Sequence, residues 1–168
     1  MAYTQRPATV YLGLGSNVDA HRNLRSAIEA LQAEFGALDL SPVYRSTAVG
    51  FSGDDFFNAC GRIQTECSPG ALKDWLGALE NRHGRNRSLP KFADRTLDID
   101  ILLYNDWCGQ FDGLELPRDE ILKYAHVLKP LADLAGSVPH PVSGVSYAEH
   151  WAAFTGDRRL TMVALEHP

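Results

Sequence analysis

Residues 93–106 read ADRTLDIDILLYND, a largely apolar run that carries two carboxylates one residue apart. Side chains alternate between the two faces of a β-strand. The pattern therefore predicts a strand whose apolar side chains point together into the core: Leu97, Ile99, Ile101 and Leu103. Asp98 and Asp100 would share the opposite face, with their Cβ atoms roughly 6.5–7 Å apart. Like charges at that distance repel each other and resist burial, so this pair requires an explanation.

Two interpretations fit the pair of carboxylates. One is a solvated outer strand face, which is the more ordinary reading of two aspartates taken alone. The other is a site for a hard cation, because Mg²⁺ binds carboxylate oxygens together with water and substrate phosphates. Two carboxylates on a rigid strand could hold one or two Mg²⁺ ions against a polyphosphate.

The segment just before this strand favours the cation site. Residues 81–95 read NRHGRNRSLPKFADR, a polar stretch that is predicted to be a long loop because it contains Gly84 and Pro90. Its cations could form weak ion pairs in solvent, or they could grip phosphate oxygens: Arg82, Arg85, Arg87, Lys91 and Arg95. An arginine-rich loop that leads into two carboxylates is what phosphoryl transfer requires.

The composition predicts one globular domain over residues 1–168. Hydrophobic residues make up 45% of the chain and charged residues 22%, with a formal net charge of −5. The acidic balance argues against a nucleic-acid partner, and the sequence has no apolar stretch that would suit a membrane span or a secretory leader. Three cysteines without metal-binding spacing indicate reduced thiols and a cytoplasmic protein, with a reactive cysteine as the alternative.

The remaining patterns predict strands and helices in the order βαββαβ, followed by helices and a strand. TVYLGLGSN (9–17) is predicted as a strand that ends in a glycine-bearing turn, and NLRSAIEALQAEF (23–35) as an amphipathic helix. Two strands follow, PVYRSTAV (42–49) and FFNACGRIQTEC (56–67), and then a helix capped by Ser68. This order predicts an α+β fold, a ferredoxin-like antiparallel sheet covered by helices.

The C-terminal part is predicted to add to this fold. Residues 115–136 indicate a helix with an irregular start, interrupted by Pro130. Ser146 and Glu149 form a capping-box pattern before a short last helix, and LTMVAL (160–165) is predicted as a final strand.

Several of these segments carry a resemblance to one family. They include YLGLGSN (11–17), VYRS (43–46), FFNAC (56–60), ENRHGRNR (80–87), RTLDIDILLY (95–104), LKPLADLAG (128–136) and HPVSG (140–144). In this order they resemble the 6-hydroxymethyl-7,8-dihydropterin pyrophosphokinases of folate biosynthesis. The resemblance covers nearly the whole chain and implies a ferredoxin-like fold. It also implies the transfer of pyrophosphate from ATP to the hydroxymethyl group of the pterin, with release of AMP.

The resemblance also implies roles for individual residues. Two Mg²⁺ ions would bind at Asp98 and Asp100. The catalytic set would be Arg85, Arg95, Asp98 and Asp100. The ATP site would consist of Glu80, Arg85, Arg87, Lys91, Arg95, Ile101, Arg118 and Tyr124. The pterin site would consist of Ser46, Val49, Phe56, Asn58, Phe92 and His126. ATP and a hydroxymethyl-dihydropterin are the implied partners.

The chain departs from the family pattern around both substrates. Phe92 replaces a usual tryptophan, Arg118 a usual histidine, and Tyr124 a usual arginine. His126 replaces the phenylalanine that stacks on the pterin. Two alternatives follow from these changes: the same chemistry on a different pterin, as in a methanopterin-like pathway, or a nucleotide-binding relative without catalysis. The retained carboxylates and arginines favour catalysis.

Overall fold

An antiparallel sheet forms the centre of the structure, a computed structural model in which residues 6–48, 53–84 and 94–165 are described. The elements are β1 (Ala8–Ser16), α1 (Ala20–Phe35), β2 (Asp39–Leu40), β3 (Val43–Ser46), β4 (Phe56–Thr65), α2 (Pro69–Arg82), β5 (Asp98–Tyr104), β6 (Gly109–Phe111), β7 (Leu114–Leu116), a 3₁₀ helix (Asp119–Leu122), α3 (Ala125–Ala135), α4 (Tyr147–Ala153) and β8 (Thr161–Val163).

The strand order identifies the topology. The main sheet runs β5-β1-β4-β3-β8, with β2 paired to β4, and all of these pairings are antiparallel. The units β1-α1-β3 and β4-α2-β5 therefore interleave around a central β1–β4 pair, as in a ferredoxin-like fold. The predicted α+β class is confirmed. β8, at the outer edge, and the helices after β7 are the C-terminal additions.

The first hydrophobic core lies between the sheet and helices α1 and α2. It includes Leu12, Leu14, Leu24, Leu31, Leu72, Leu79, Ile99 and Ile101, all at most 5% exposed. Ser68 starts α2 as predicted: its side chain accepts a hydrogen bond from the Ala71 N–H at 3.2 Å, and Pro69 follows at the first helical position. These helices place the polar end of α2 beside the beginning of β5.

A second core lies on the other face of the sheet, under α3 and α4. Its members include Tyr11, Cys60, Leu102, Leu103, Leu128, Leu131 and Tyr147. Ser146 caps α4 by accepting the Glu149 N–H at 3.2 Å, which fits the predicted cap. The predicted strand at 160–165 is present as β8.

A β-bulge makes the predicted alternation along β5 wrong at Leu103. Tyr11 pairs with Leu103 but Leu12 pairs with Ile101, which leaves Leu102 as an extra residue in β5. Leu102 and Leu103 therefore both join the second core, whereas Ile101 belongs to the first. The predicted core positions of Leu97 and Ile99 are confirmed.

Other local predictions were wrong in detail. The glycines of GLGSN lie inside β1 rather than in a turn, because β1 continues to Ser16. The helix predicted for 115–136 is wrong at its start, because Glu115 and Leu116 belong to β7 and a 3₁₀ helix precedes α3. Pro130 lies within α3 and does not interrupt it. The short β2 and the β6–β7 hairpin were not predicted. The strand predicted for 42–49 ends at Ser46.

Candidate active site

The floor of a cleft is built by β5 and β1. Asp100 lies opposite Gly13, and Asp98 lies opposite Gly15. The two glycines leave this part of the sheet without side chains. At Gly15 the space is required, because a Cβ there would lie 2.7 Å from Nδ2 of Asn58. The cleft adjoins a cavity of about 460 Å³, whose lining includes Glu80, Asp98, Asp100, Arg118 and Glu120.

The two aspartates form a site that resists full ionisation. The pKa of Asp100 is raised from 3.8 to about 7, first because the carboxyl, on a side chain that is 31% exposed, is largely withdrawn from water and then because Asp98 is close. Glu120 and Glu80 raise the pKa further, and Arg118 opposes the change. A cleft with this surplus of negative charge favours a cation or a proton at Asp100.

Because the ionised Asp100 carboxylate is unfavourable in the folded protein, replacing it with a neutral side chain should stabilise the fold. The pKa of Asp100 is 3.8 in the unfolded chain and about 7 in the folded protein. Folding stability is therefore lost as the pH rises from 3.8 to about 7, and above that range the full cost of ionising the folded carboxyl is present. We expect Asp100→Asn to raise the free energy of unfolding at pH 8 by about 2 kcal/mol, with solvent access already discounted. Urea unfolding in EDTA measures it, and the gain should shrink markedly at pH 5.

Asp119→Asn is the matched control for this measurement. Asp119 lies 2.8 Å from Lys123 in an exposed ion pair that lowers its pKa, so its neutralisation should not stabilise the protein. An Asp100→Asn protein no more stable than the parent at pH 8 would contradict the electrostatic account.

Arg118 enters the cleft from the segment after β7. Its Nη2 lies 3.6 Å from Oδ1 of Asp100 and 3.5 Å from Oε1 of Glu120. Its backbone N–H donates to the Leu102 carbonyl at 3.0 Å, which fixes the residue beside β5. Its buried Nε has no hydrogen-bond partner among the described residues. The structure thus places this predicted ATP-site residue directly against a predicted metal ligand.

Glu80 ties the end of α2 to the beginning of β5. The side chain is 7% exposed, and its Oε2 accepts a hydrogen bond from the Ile99 N–H at 3.2 Å. Ile101, another residue predicted for the ATP site, is buried at 4% exposure and lines the cavity. The helix end, the strand and Arg118 therefore meet at one cavity.

Ser16 and Asn17 hold the segment that enters β5, a role the sequence reasoning missed. The Ser16 hydroxyl donates to the Thr96 carbonyl at 2.6 Å. Oδ1 of Asn17 accepts the Arg95 N–H at 2.7 Å, and the Asn17 N–H donates to the Arg95 carbonyl at 3.0 Å. These bonds fix the backbone of Arg95, a residue 8% exposed. A serine and an asparagine at the end of the predicted strand were the only sequence signal.

Four of the residues predicted for the pterin are described, and they lie on β3, β4 and the start of α3: Ser46, Phe56, Asn58 and His126. Ser46 pairs with Phe56, and Asn58 pairs with Tyr44 on one side. Oδ1 of Asn58 is buried without a hydrogen-bond partner in the parts of the chain that the structure describes. Because buried polar atoms are nearly always satisfied, this oxygen marks a place for a ligand donor.

Tyr124 and His126 stack on each other at the start of α3. Their ring centroids are 5.2 Å apart with an interplanar angle of 22°. Burial lowers the pKa of His126 below its usual value, although Glu120 and Asp98 act in the opposite direction. The lowered pKa favours the neutral imidazole, which offers a flat, uncharged ring.

Several predicted site residues lie outside the described residues: Val49, Arg85, Arg87, Lys91 and Phe92. Within the ranges that are described, no group of three or more histidine, cysteine or acidic side chains could hold a metal ion. No helix in those ranges is long and apolar enough to span a membrane. Cys60, Cys67 and Cys108 are all free thiols.

The fold and the cleft together define a class: an α+β enzyme of ferredoxin-like topology with paired carboxylates on one sheet face. The profile of the 7,8-dihydro-6-hydroxymethylpterin-pyrophosphokinase (HPPK) family matches residues 11–136. The chain therefore belongs to this family, whose members are pyrophosphokinases of folate biosynthesis. The predicted family and enzyme class are confirmed.

Similar proteins agree with this membership. The 2-amino-4-hydroxy-6-hydroxymethyldihydropteridine pyrophosphokinase of Pseudomonas aeruginosa is 35% identical, covering 90% of this chain and 96% of its own. That of Haemophilus influenzae is 34% identical, over 82% and 88% of the two chains. A folic acid synthesis protein of Pneumocystis carinii is 32% identical over 84% of this chain, which spans only 20% of that longer protein.

Solved structures agree on the fold. An HPPK-DHPS chain crystallised with substrates superposes with a TM-score of 0.71 at 12% identity, over 88% of this chain and 43% of that one. A Plasmodium falciparum HPPK-DHPS chain gives a TM-score of 0.69 at 13% identity, over 86% and 43%. At these identities the likeness concerns the fold alone.

Proposed function

We propose that this protein transfers the pyrophosphoryl group of ATP to the hydroxymethyl group of 6-hydroxymethyl-7,8-dihydropterin and releases AMP. The observation that carries the proposal is the pair of carboxylates, Asp98 and Asp100, on one cleft face with a pKa raised at Asp100. Membership of a pyrophosphokinase family and the names of the bacterial relatives support the choice of reaction and acceptor.

Asp98 and Asp100 fit a magnesium site that is completed by the substrate. Two carboxylates without a third protein ligand in the described ranges match Mg²⁺, which keeps water and phosphate oxygens as its other ligands. We propose that two ions bind there with ATP. When bound, Mg²⁺ neutralises charge that develops on the phosphate oxygens. The two aspartates would hold the Mg²⁺ ions at the floor of the cleft.

The reaction requires the acceptor and the phosphates to be held in line. The pterin hydroxyl oxygen forms a bond to the β-phosphorus of ATP, and the bond from that phosphorus to the α–β bridging oxygen breaks; the hydroxyl proton passes to solvent.

We propose Arg95 and Arg85 as catalytic cations. Arg87, Lys91, Arg118 and Tyr124 would bind ATP together with Glu80 and Ile101. Arg95 supports this most directly, because its backbone is fixed by Asn17.

The acceptor pocket is proposed around Asn58. Its unpartnered Oδ1 suits an N–H on the edge of a pterin, since an amide offers both a donor and an acceptor. The neutral, stacked ring of His126 would contact the flat face of the pterin. The other proposed members of the pocket are Ser46, Val49, Phe56 and Phe92.

A product assay tests the proposed reaction. Protein, Mg²⁺, ATP and 6-hydroxymethyl-7,8-dihydropterin are mixed, and the nucleotides are resolved by chromatography. We expect AMP and pterin pyrophosphate in equal amounts, with no AMP when EDTA replaces Mg²⁺. ADP as the nucleotide product would mean single phosphoryl transfer and would contradict the proposal.

A different pterin acceptor is the second candidate, and the Tyr124–His126 stack is the observation that favours it. Histidine contributes a smaller and more polar surface than phenylalanine, so a substituted pterin could be preferred. Comparing kcat/KM on plain and ring-methylated hydroxymethyl-dihydropterins separates the two. A clear preference for the plain substrate would exclude this candidate.

Two further proposals concern the whole chain. We propose that residues 1–168 form a single domain, supported by two cores that pack on opposite faces of one sheet. We also propose a cytoplasmic location, supported by the three free thiols, which suit a reducing compartment.

A further inference from the structure

Arg118 is shared between two carboxylates rather than committed to one. Its Nη2 lies at nearly equal distances from Asp100 and Glu120, 3.6 Å and 3.5 Å. Both distances exceed the roughly 2.7–2.9 Å of a direct charge-assisted hydrogen bond. Lys123 and Asp119, in the same part of the chain, do reach 2.8 Å. The guanidinium therefore occupies an intermediate position from which it can move toward either partner.

The backbone around this arginine is fixed, so only the side chain needs to move. The Arg118 N–H donates to Leu102, and its carbonyl accepts the Ile121 N–H at 3.3 Å. The Glu120 carbonyl accepts the N–H groups of Lys123 and Tyr124 at 3.1 Å and 3.2 Å. These hydrogen bonds fix the backbone of Glu120, a residue that lines the cavity.

We propose that Glu120 is a positioning residue that draws Arg118 away from Asp100 when a divalent cation binds, and so presents the guanidinium to the polyphosphate. The proposal rests on the metal site proposed for Asp98 and Asp100. A cation there competes with Arg118 for Asp100 and repels it. Glu120 offers the displaced arginine a second carboxylate, so leaving Asp100 costs little.

The same geometry predicts the effect of removing Glu120. Among the described residues Arg118 then keeps Asp100 as its ion-pair partner, settles against it and competes with the incoming cation. The buried Nε of Arg118, without a partner in the described structure, marks a donor that becomes useful only when phosphate oxygens arrive. Glu120 acts through Arg118, and this dependence is what an experiment can isolate.

A double-mutant cycle tests the coupling. The probe is Mn²⁺ together with α,β-methylene-ATP, an analogue that cannot be cleaved between its α- and β-phosphorus atoms. Free Mn²⁺ is measured by electron paramagnetic resonance. We expect Glu120→Gln to weaken Mn²⁺ binding about 5- to 20-fold in the parent. In an Arg118→Gln background the same change should weaken binding less than about twofold. Equal effects in the two backgrounds would overturn the proposal.

Asp119→Asn controls for the simple loss of a negative charge near the cleft. Asp119 is adjacent to Glu120, but its carboxylate is 60% exposed and paired with Lys123. We expect this variant to bind Mn²⁺ within about twofold of the parent, because the pair is solvated. Asp119→Asn weakening as large as that of Glu120→Gln would show a general field effect and overturn the proposal.

The failure of the metal site would look different. If Asp98→Asn binds Mn²⁺ and the nucleotide as tightly as the parent, the proposed metal site is wrong, whatever Glu120 does. If Asp98→Asn abolishes Mn²⁺ binding while the cycle shows no coupling, the metal site stands and the role of Glu120 fails. Thermal unfolding of each variant confirms that it is folded.

Discussion

We expect Asp98→Asn and Asp100→Asn each to lower kcat by about 10³-fold or more while leaving the protein folded. Each change removes one of the two carboxylates that would hold Mg²⁺, and a metal ion contributes several kcal/mol to the stabilisation of transition-state charge. AMP release at saturating ATP and pterin measures kcat. Far-UV circular dichroism and thermal unfolding report the fold.

Asp106→Asn is the matched control for these variants. Asp106 lies in the exposed turn that follows β5, at the far end of the strand from the cleft. It should keep kcat within about twofold, because an exposed carboxylate outside the cleft contributes little. If Asp98→Asn or Asp100→Asn retained a tenth of the parent activity, the catalytic metal would have to bind elsewhere. Unfolding of either variant would indicate a structural role instead.

For Asp100 the two readouts should move in opposite directions. The same substitution that removes turnover is expected to stabilise the free protein at pH 8, because the raised pKa shows that the ionised carboxyl is unfavourable there. If Asp100 had a purely structural role, its replacement would lower both the stability and the activity of the protein. Opposite signs would therefore identify Asp100 as a group whose charge is kept for a ligand.

Local signals in the sequence were sufficient for most of the fold. The apolar spacing of residues 24–35 predicted α1, and Ser68 with Pro69 predicted the start of α2. Each of these signals depends on residues within one or two turns of a helix. The interleaved order of strands and helices then limited the sheet to few arrangements, of which the ferredoxin-like one is observed.

Features set by distant partners were missed. The bulge at Leu102 exists because β5 must match β1, more than eighty residues earlier in the chain, and four successive apolar residues give no alternation that would reveal it. The β6–β7 hairpin was missed for a different reason. Asp112 and Gly113 both have positive φ, and an Asp-Gly pair between short apolar segments is a known hairpin signal that the sequence did contain.

The candidate site divides in the same way. Asp98 and Asp100 were predicted to share one face because strand alternation is local, and both line the cavity. The contact between Arg118 and Asp100 could not be predicted from spacing, since the hairpin between them returns the chain to the cleft. The functions of Arg85, Arg87 and Lys91 remain predictions, as those residues lie outside the described ranges.

Gly15→Ala is expected to have the second large effect, through Asn58. The new Cβ would lie 2.7 Å from Nδ2 of Asn58, closer than a real Cβ approaches, so the amide must move. We propose that Asn58 forms a hydrogen bond with the edge of the pterin. We therefore expect the KM for the pterin to rise about 10- to 100-fold while the KM for ATP changes less than about threefold. Overpacking should also cost about 1–2 kcal/mol of stability.

Gly13→Ala provides the comparison on the same strand. The three atoms nearest to its Cβ would all belong to the Leu102 side chain, the nearest at 3.4 Å, which is an ordinary van der Waals contact. We expect a change in pterin KM of less than about threefold there. Steady-state kinetics on both variants, with each substrate varied in turn, make the comparison.

The dependence on Asn58 can be checked directly. In an Asn58→Ala background the Cβ at position 15 has no amide to displace, so Gly15→Ala should add little to the pterin KM. If the two changes were instead additive, the glycine would act on the pterin through the shape of the cleft floor. If Asn58 contacts only the pterin, its displacement should leave ATP binding unchanged. An equal rise in the KM for ATP and for the pterin would therefore place Gly15 and Asn58 at the nucleotide.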